Sequence, residues 1–146
     1  MRVYFDSCAL SRLLDLPLNE EIRAEAEAVN RILGEISRGC LKLVSSDVLW
    51  DEAEAIKDND KRFLLEGILI KADIYVTVNP DREKRARRLT EKGITYFDAL
   101  HTVCAEDGAN VFLTVDKRLL KKLRKLNNLK VEAMNPIEFW RRYAGS

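Results

Sequence analysis

The stretch YFDALHTVCAEDGANVFLTVDKRLL, Tyr96–Leu120, decides the reading of the fold. Its first half predicts a helix over Asp98–Asp107, stopped by Gly108. Its second half holds VFLTV (Val111–Val115), a short apolar run rich in β-branched residues, which reads as a buried strand. That run ends on Asp116, and a basic helix follows. Neither Asp98 nor Asp116 is required by a hydrophobic pattern, so each needs an explanation.

The same alternation extends outward in both directions. RVYF (Arg2–Phe5) reads as a strand that stops at Asp6. Asn19-Glu20-Glu21 supplies a cap and an acidic first turn. Ile22, Ala26, Val29, Leu33 and Ile36 then recur at helical spacing until Gly39. LKLVS (Leu41–Ser45) alternates like a strand, and a helix is expected from Ser46 or Asp47. Asn59-Asp60 is expected to break the pattern before a further helix over Lys61–Ile70. DIYVTV (Asp73–Val78) reads as a third strand, and Pro80-Asp81 opens a highly charged helix that ends at Gly93. After the basic helix come a strand, KVEAM (Lys130–Met134), and a last turn or helix from Asn135-Pro136. Strands alternating with helices predict a three-layer α/β/α sandwich around a central, mostly parallel sheet of four to five strands. No linker or repeat interrupts it, so residues 1–143 are expected as one domain, with 144–146 a frayed end.

Bulk properties narrow the function. Hydrophobic residues make up 47% of 146, enough for a single core. Formal net charge is +1, so no global field draws the chain to nucleic acid or a membrane. Three widely spaced cysteines and a single histidine argue against a zinc site. Free thiols fit a reducing cytosol, and no run approaches a membrane span, so a cytoplasmic protein is expected.

Ligands of open α/β sheets bind at the carboxyl ends of the strands. Asp6 and Asp116 each follow a strand there, although either alone could be a turn or capping residue. Asp98 has capping as its plain alternative. Glu52 is the most informative acid. At about 100° per residue it falls in the middle of the stripe made by Val48, Leu49, Ala53, Ala55 and Ile56. Asp47, Asp51, Glu54 and Asp58 fall on the water side. A carboxylate on an inner face costs several kcal/mol unless it is paired or metal-bound. Four converging carboxylates would repel by about 3 kcal/mol per pair at ~5 Å and an effective dielectric near 20. A hard divalent cation relieves that repulsion, because Mg²⁺ and Mn²⁺ prefer oxygen ligands.

These residues carry a resemblance. VYFDSCALSRLLD, SSDVLWDE, YFDALH, FLTVDKRLL and MNPIEF, in that order, make the chain resemble the PIN-domain family, which includes VapC-type toxin ribonucleases and related stand-alone proteins. The resemblance implies an endoribonuclease dependent on Mg²⁺ or Mn²⁺, with Asp6, Glu52, Asp98 and Asp116 as catalytic metal ligands. It also implies an RNA substrate, a possible antitoxin partner and a homodimer. Thr114 and Ser7 stand where the family has hydroxyl residues able to orient carboxylates or waters. The family commonly begins Asp-Thr-Ser, where this chain reads Asp6-Ser7-Cys8.

His101 follows Asp98 by one helical turn and is a candidate general acid or phosphate contact, against a helix-packing role. Lys117 and Arg118, with Lys121, Lys122, Arg124 and Lys125, could guide an RNA backbone, against a solvated charged face. Tyr4 and Phe5 read as core. The alternative class is a non-catalytic PIN-like module that binds RNA or protein. A haloacid-type phosphatase would need Asp-x-Asp at the first strand, and Cys8 fills the second slot.

Overall fold

A computed structural model describes residues 1–145. Its centre is a sheet of β1 (Arg2–Phe5), β2 (Lys42–Ser46), β3 (Ile74–Val76), β4 (Val111–Leu113) and β5 (Glu132–Met134). The order is β3-β2-β1-β4-β5, and every neighbouring pair is parallel. Val3, Tyr4 and Phe5 are fully buried, as a central strand covered on both faces requires. The chain builds outward from β1 through β2 and β3, then crosses back to β4 and β5. The strand order therefore reverses between β1 and β4, where α/β sheets leave a crevice.

The helices are α1 (Ser7–Ser11), α2 (Glu20–Ser37), α3 (Asp47–Glu54), α4 (Asn59–Leu69), α5 (Pro80–Thr90), α6 (Tyr96–Gly108), α7 (Lys117–Arg124) and α8 (Pro136–Ala144). Each opens on a side-chain cap, in order Asp6, Asn19, Ser46, Asp58, Asn79, Thr95, Asp116 and Asn135. Gly39 and Gly93 take positive φ after α2 and α5, where a side chain would be strained.

α6 crosses one face of the sheet and touches β1, β2, β3 and β4, with α5 packed along it. A Cβ at Gly108 would meet Val44 and Val76, so those side chains point toward α6. Leu43 must then point the other way. It faces the groove formed with Leu33 and Ile36 of α2 and Leu64 and Ile68 of α4. With α8 packed on α2, this gives the expected three-layer α/β/α sandwich, with an all-parallel sheet of five strands.

Several boundaries differ from the sequence reading. α1 has no counterpart in it, because a five-residue helix is too short to show a period. α4 begins at Asn59, where a break was expected, since Asp58 caps it through Lys61 N–H at 3.1 Å. α6 begins two residues before Asp98, with Thr95 as its cap. α3 ends at Glu54, so Ala55 and Ile56 lie beyond the helix whose stripe they were assigned to. β3, β4 and β5 are shorter than expected, although Thr114 N–H still donates to Met134 O at 3.1 Å. The buried face of α2 runs through Glu25, Ala28, Val29 and Ile32, and Ile22, Ala26, Leu33 and Ile36 are half-buried. Glu25 tolerates burial because Arg12 reaches one oxygen at 2.9 Å and Asn135 Nδ2 the other at 2.7 Å. α8 takes in Ala144, and of the expected frayed end Ser146 lies outside the described residues. Among the described residues no helix is long and apolar enough to cross a membrane.

Gly108 gives a direct test of how α6 packs. A Cβ there would stand 2.7 Å from Val76 Cγ2 and 2.9 Å from Val44 Cγ1. Both are β-branched residues with little rotamer freedom to yield. Gly108→Ala should therefore destabilise by about 1–3 kcal/mol despite alanine's better helix propensity, read as a lower denaturation midpoint in urea.

Candidate active site

β1 hands the chain directly to Asp6, which lies at the crevice and is only 3% exposed. Its backbone N–H donates to Leu113 O at 3.1 Å, which continues the β1–β4 pairing past the strand end. Its carboxylate caps α1, with Oδ1 accepting from Ala9 N–H at 2.9 Å. Oδ2 accepts from Thr114 Oγ1 at 2.6 Å. Thr114 in turn accepts from Asp116 N–H at 3.1 Å. Asp116 caps α7 with Oδ1 alone, which takes Arg118 N–H at 3.0 Å and Leu119 N–H at 3.1 Å. Asp6 and Asp116 are thus true caps, and Thr114 links them across the strand-order reversal.

Asp98 is at the third residue of α6 and is half-buried. The capping role weighed for it belongs to Thr95, which takes Asp98 N–H at 3.3 Å. Glu52 is half-buried on α3, as its place in the apolar stripe implied. Ser7 Oγ donates to its Oε2, and His101 Nε2 meets its Oε1. His101 is buried behind Glu52, and its Nδ1 lies 2.7 Å from the Tyr4 hydroxyl. That hydroxyl is also 2.7 Å from Ser46 Oγ.

The acids act electrostatically on their neighbours. Cys8 is exposed, but the protein around its sulfur partly desolvates the thiol and pushes it up to about 11, and the charges of Asp6, Glu52, Asp98 and Asp116 then add to the rise in that order. All four carboxylates named from the sequence therefore act on one side chain. Burial raises Asp6 to about 6 against the pull of Thr114, Ala9 N–H and His101, and Asp98 pushes it the same way as burial. Burial also works to raise Glu52, but the hydrogen bond and charge of His101 and the Ser7 hydroxyl outweigh it, and the pKa ends below the ordinary value.

Among the described residues, no group of three or more His, Cys, Asp or Glu side chains stands ready to hold a metal ion. Each Glu52 oxygen has one partner, Ser7 or His101, and Asp116 Oδ1 is occupied by its cap. The donor chemistry nonetheless fits a hard divalent cation. Each Asp6 oxygen accepts one hydrogen bond and keeps a further lone pair. Asp116 Oδ2 and the whole Asp98 carboxylate take no hydrogen bond among the described residues. Asp6, Asp98 and Asp116 also form no ion pair among them. With its pKa near 11, Cys8 is a neutral thiol at pH 7, so the charged donors are all oxygens.

The remaining named residues lie around this centre. Lys117 is exposed and its Nζ pairs with Glu21 of α2 at 2.8 Å. Arg118 is exposed and forms no ion pair among the described residues. Tyr4 and Ser46 are the residues the sequence reading missed. Their signal was present, because a buried tyrosine in a central strand must find a partner for its hydroxyl.

No protein-family model matches the chain. No curated protein matches it either. Among solved structures it is similar to PAE2754 from Pyrobaculum aerophilum, at 19% identity over 100% of this chain and 91% of that one, with a TM-score of 0.57. That likeness shows a common fold.

Asp6 makes stability depend on pH when no cation is bound. Its folded pKa near 6 exceeds the unfolded value of about 3.9, so the folded state holds the extra proton between those values. Its contribution is fully present below pH 4 and is lost as pH rises through 6. In chelator, Asp6→Asn should remove a loss of roughly 2–3 kcal/mol across that window, seen by comparing urea midpoints at pH 4 and pH 7.

Proposed function

We propose that the chain is a metal-dependent endoribonuclease of the PIN-domain type, hydrolysing RNA phosphodiester bonds at the crevice between β1 and β4. One observation supports the reading: Asp6 and Asp116 follow the central strands β1 and β4, Asp98 acts electrostatically on Asp6, and none of the three has a cationic partner among the described residues. Buried or half-buried like charges in that arrangement are costly in the absence of a bound cation.

Asp6, Asp98 and Asp116, joined by Glu52, would hold Mg²⁺ or Mn²⁺. When bound, the ion supplies a water of lowered pKa and charge stabilisation at the phosphodiester. The chain's own residues position and neutralise. Thr114 holds Asp6 and the backbone of Asp116 together, so the spacing across β1 and β4 is set by one hydroxyl. Arg118 and Lys121 on α7, which Asp116 caps, and Lys125 just after it are exposed, and none forms an ion pair among the described residues. They suit the phosphates flanking the scissile bond. A protein partner, an antitoxin or a second copy, is supported by apolar surface that includes Phe63, Ile70, Leu16 and Leu18, each more than two-thirds exposed.

Purified protein should cleave single-stranded RNA with Mn²⁺ and stop when EDTA is added. Asp98→Asn should lower the rate at saturating RNA by about 100-fold or more, the loss of several kcal/mol of charge stabilisation. Lys121→Glu should raise KM and flatten its salt dependence while leaving kcat nearly unchanged. RNA cleavage by Asp98→Asn at the wild-type rate would remove the reading.

A further inference from the structure

We propose that His101, itself held by Tyr4, is a positioning residue that fixes the Glu52 carboxylate for cation binding. The proposal rests on the reading of Glu52 as a cation ligand. Glu52 projects from α3 with its side chain 31% exposed, and a long side chain left free there would have to be ordered on binding. Two contacts fix it beforehand, Ser7 on Oε2 and His101 Nε2 on Oε1. Each oxygen keeps a lone pair for a further partner. The His101 side chain is 3% exposed and both its ring nitrogens are taken, so RNA cannot reach it. Its route to the chemistry runs through Glu52.

Ser46 Oγ accepts Leu49 N–H at 3.2 Å and lies 2.7 Å from the Tyr4 hydroxyl, which in turn lies 2.7 Å from His101 Nδ1. His101 Nε2 meets Glu52 Oε1, so an unbroken line of hydrogen bonds runs from the cap of α3 through β1 and α6 to Glu52. Tyr4 is fully buried in β1, and its ring packs edge-on to Phe112 at 5.7 Å, so the line of hydrogen bonds is anchored in the buried centre of the sheet. Ser46 caps α3, the helix that carries Glu52, so the contacts form a closed ring through β1, α6 and α3. Partners of this kind hold metal-binding side chains in orientation, and their loss typically weakens metal affinity by ~10–100-fold.

Mn²⁺ affinity is the readout, measured by titration calorimetry on the full chain without RNA. His101→Leu should weaken Mn²⁺ binding by ~10–100-fold. Tyr4→Phe should weaken it less, and His101→Gln, which keeps an N–H donor, should recover part of the loss. In a Glu52→Gln background, His101→Leu should have no further effect, because the ligand it acts through is gone. Wild-type affinity in His101→Leu, or an undiminished loss in the Glu52→Gln background, overturns the proposal while leaving the nuclease reading intact. A wild-type chain that binds no Mn²⁺ overturns both. If the Leu variant does not fold, Tyr4→Phe and His101→Gln are compared with the wild type in the same way, and unchanged affinity in both overturns the proposal.

Discussion

A carboxylate buried at the end of the central strand is the constraint around which the molecule is arranged. Removing an ionised carboxylate from water costs several kcal/mol unless other groups replace its hydration. At Asp6 the replacement comes from Ala9 N–H and the Thr114 hydroxyl, two neutral donors. They hold the carboxylate but leave its charge unbalanced, which is why burial still drives its pKa upward. The same two bonds start α1 and join β1 to the segment after β4. The strand-order reversal, the turn into α1 and the spacing of Asp6 from Asp116 are therefore set together.

The imbalance does not come from a shortage of cations. Lysine and arginine number 25 against 24 acidic residues. The fold places them elsewhere: Arg12 on Glu25, Arg82 on Asp107, Arg85 on Glu106, Arg142 on Glu132. Some of these neutralise carboxylates as enclosed as Asp6, since Glu25 and Glu106 are almost fully buried as side chains. Those acids are paired, whereas Asp6, Asp98 and Asp116 have no ion-pair partner among the described residues.

The alternation of strands and helices was legible because buried parallel strands are nearly uniformly apolar and the helices between them are capped by polar residues. RVYF, LKLVS and VFLTV needed no tertiary knowledge. Glu52 was legible for a related reason, as a charge in the wrong place on an amphipathic helix. What escaped depended on side chains from distant elements. Glu25 lies off the stripe counted along α2, and its burial makes sense only once Arg12 and Asn135 are brought beside it. Tyr4 read as core and is core, but its hydroxyl meets residues 42 and 97 positions away. His101 was placed on the correct side of its helix by spacing from Asp98, whereas its depth behind Glu52 depends on how α6 crosses the sheet. Capping also hides intent, because Asp116 satisfies the rule for a helix start with one oxygen and leaves the other for something else.

Cys8 shows how the site constrains a residue that does not contact it by hydrogen bond. A thiolate there would add another negative charge beside four carboxylates and would offer a soft ligand in an otherwise oxygen-rich setting. The structure prevents this. Burial and the four acids hold the thiol near 11, so Cys8 is neutral at pH 7 and differs little in charge from a hydroxyl residue at the same position. The charged groups that act on Cys8 are therefore the carboxylates of Asp6, Glu52, Asp98 and Asp116, and the sulfur adds no charge to them.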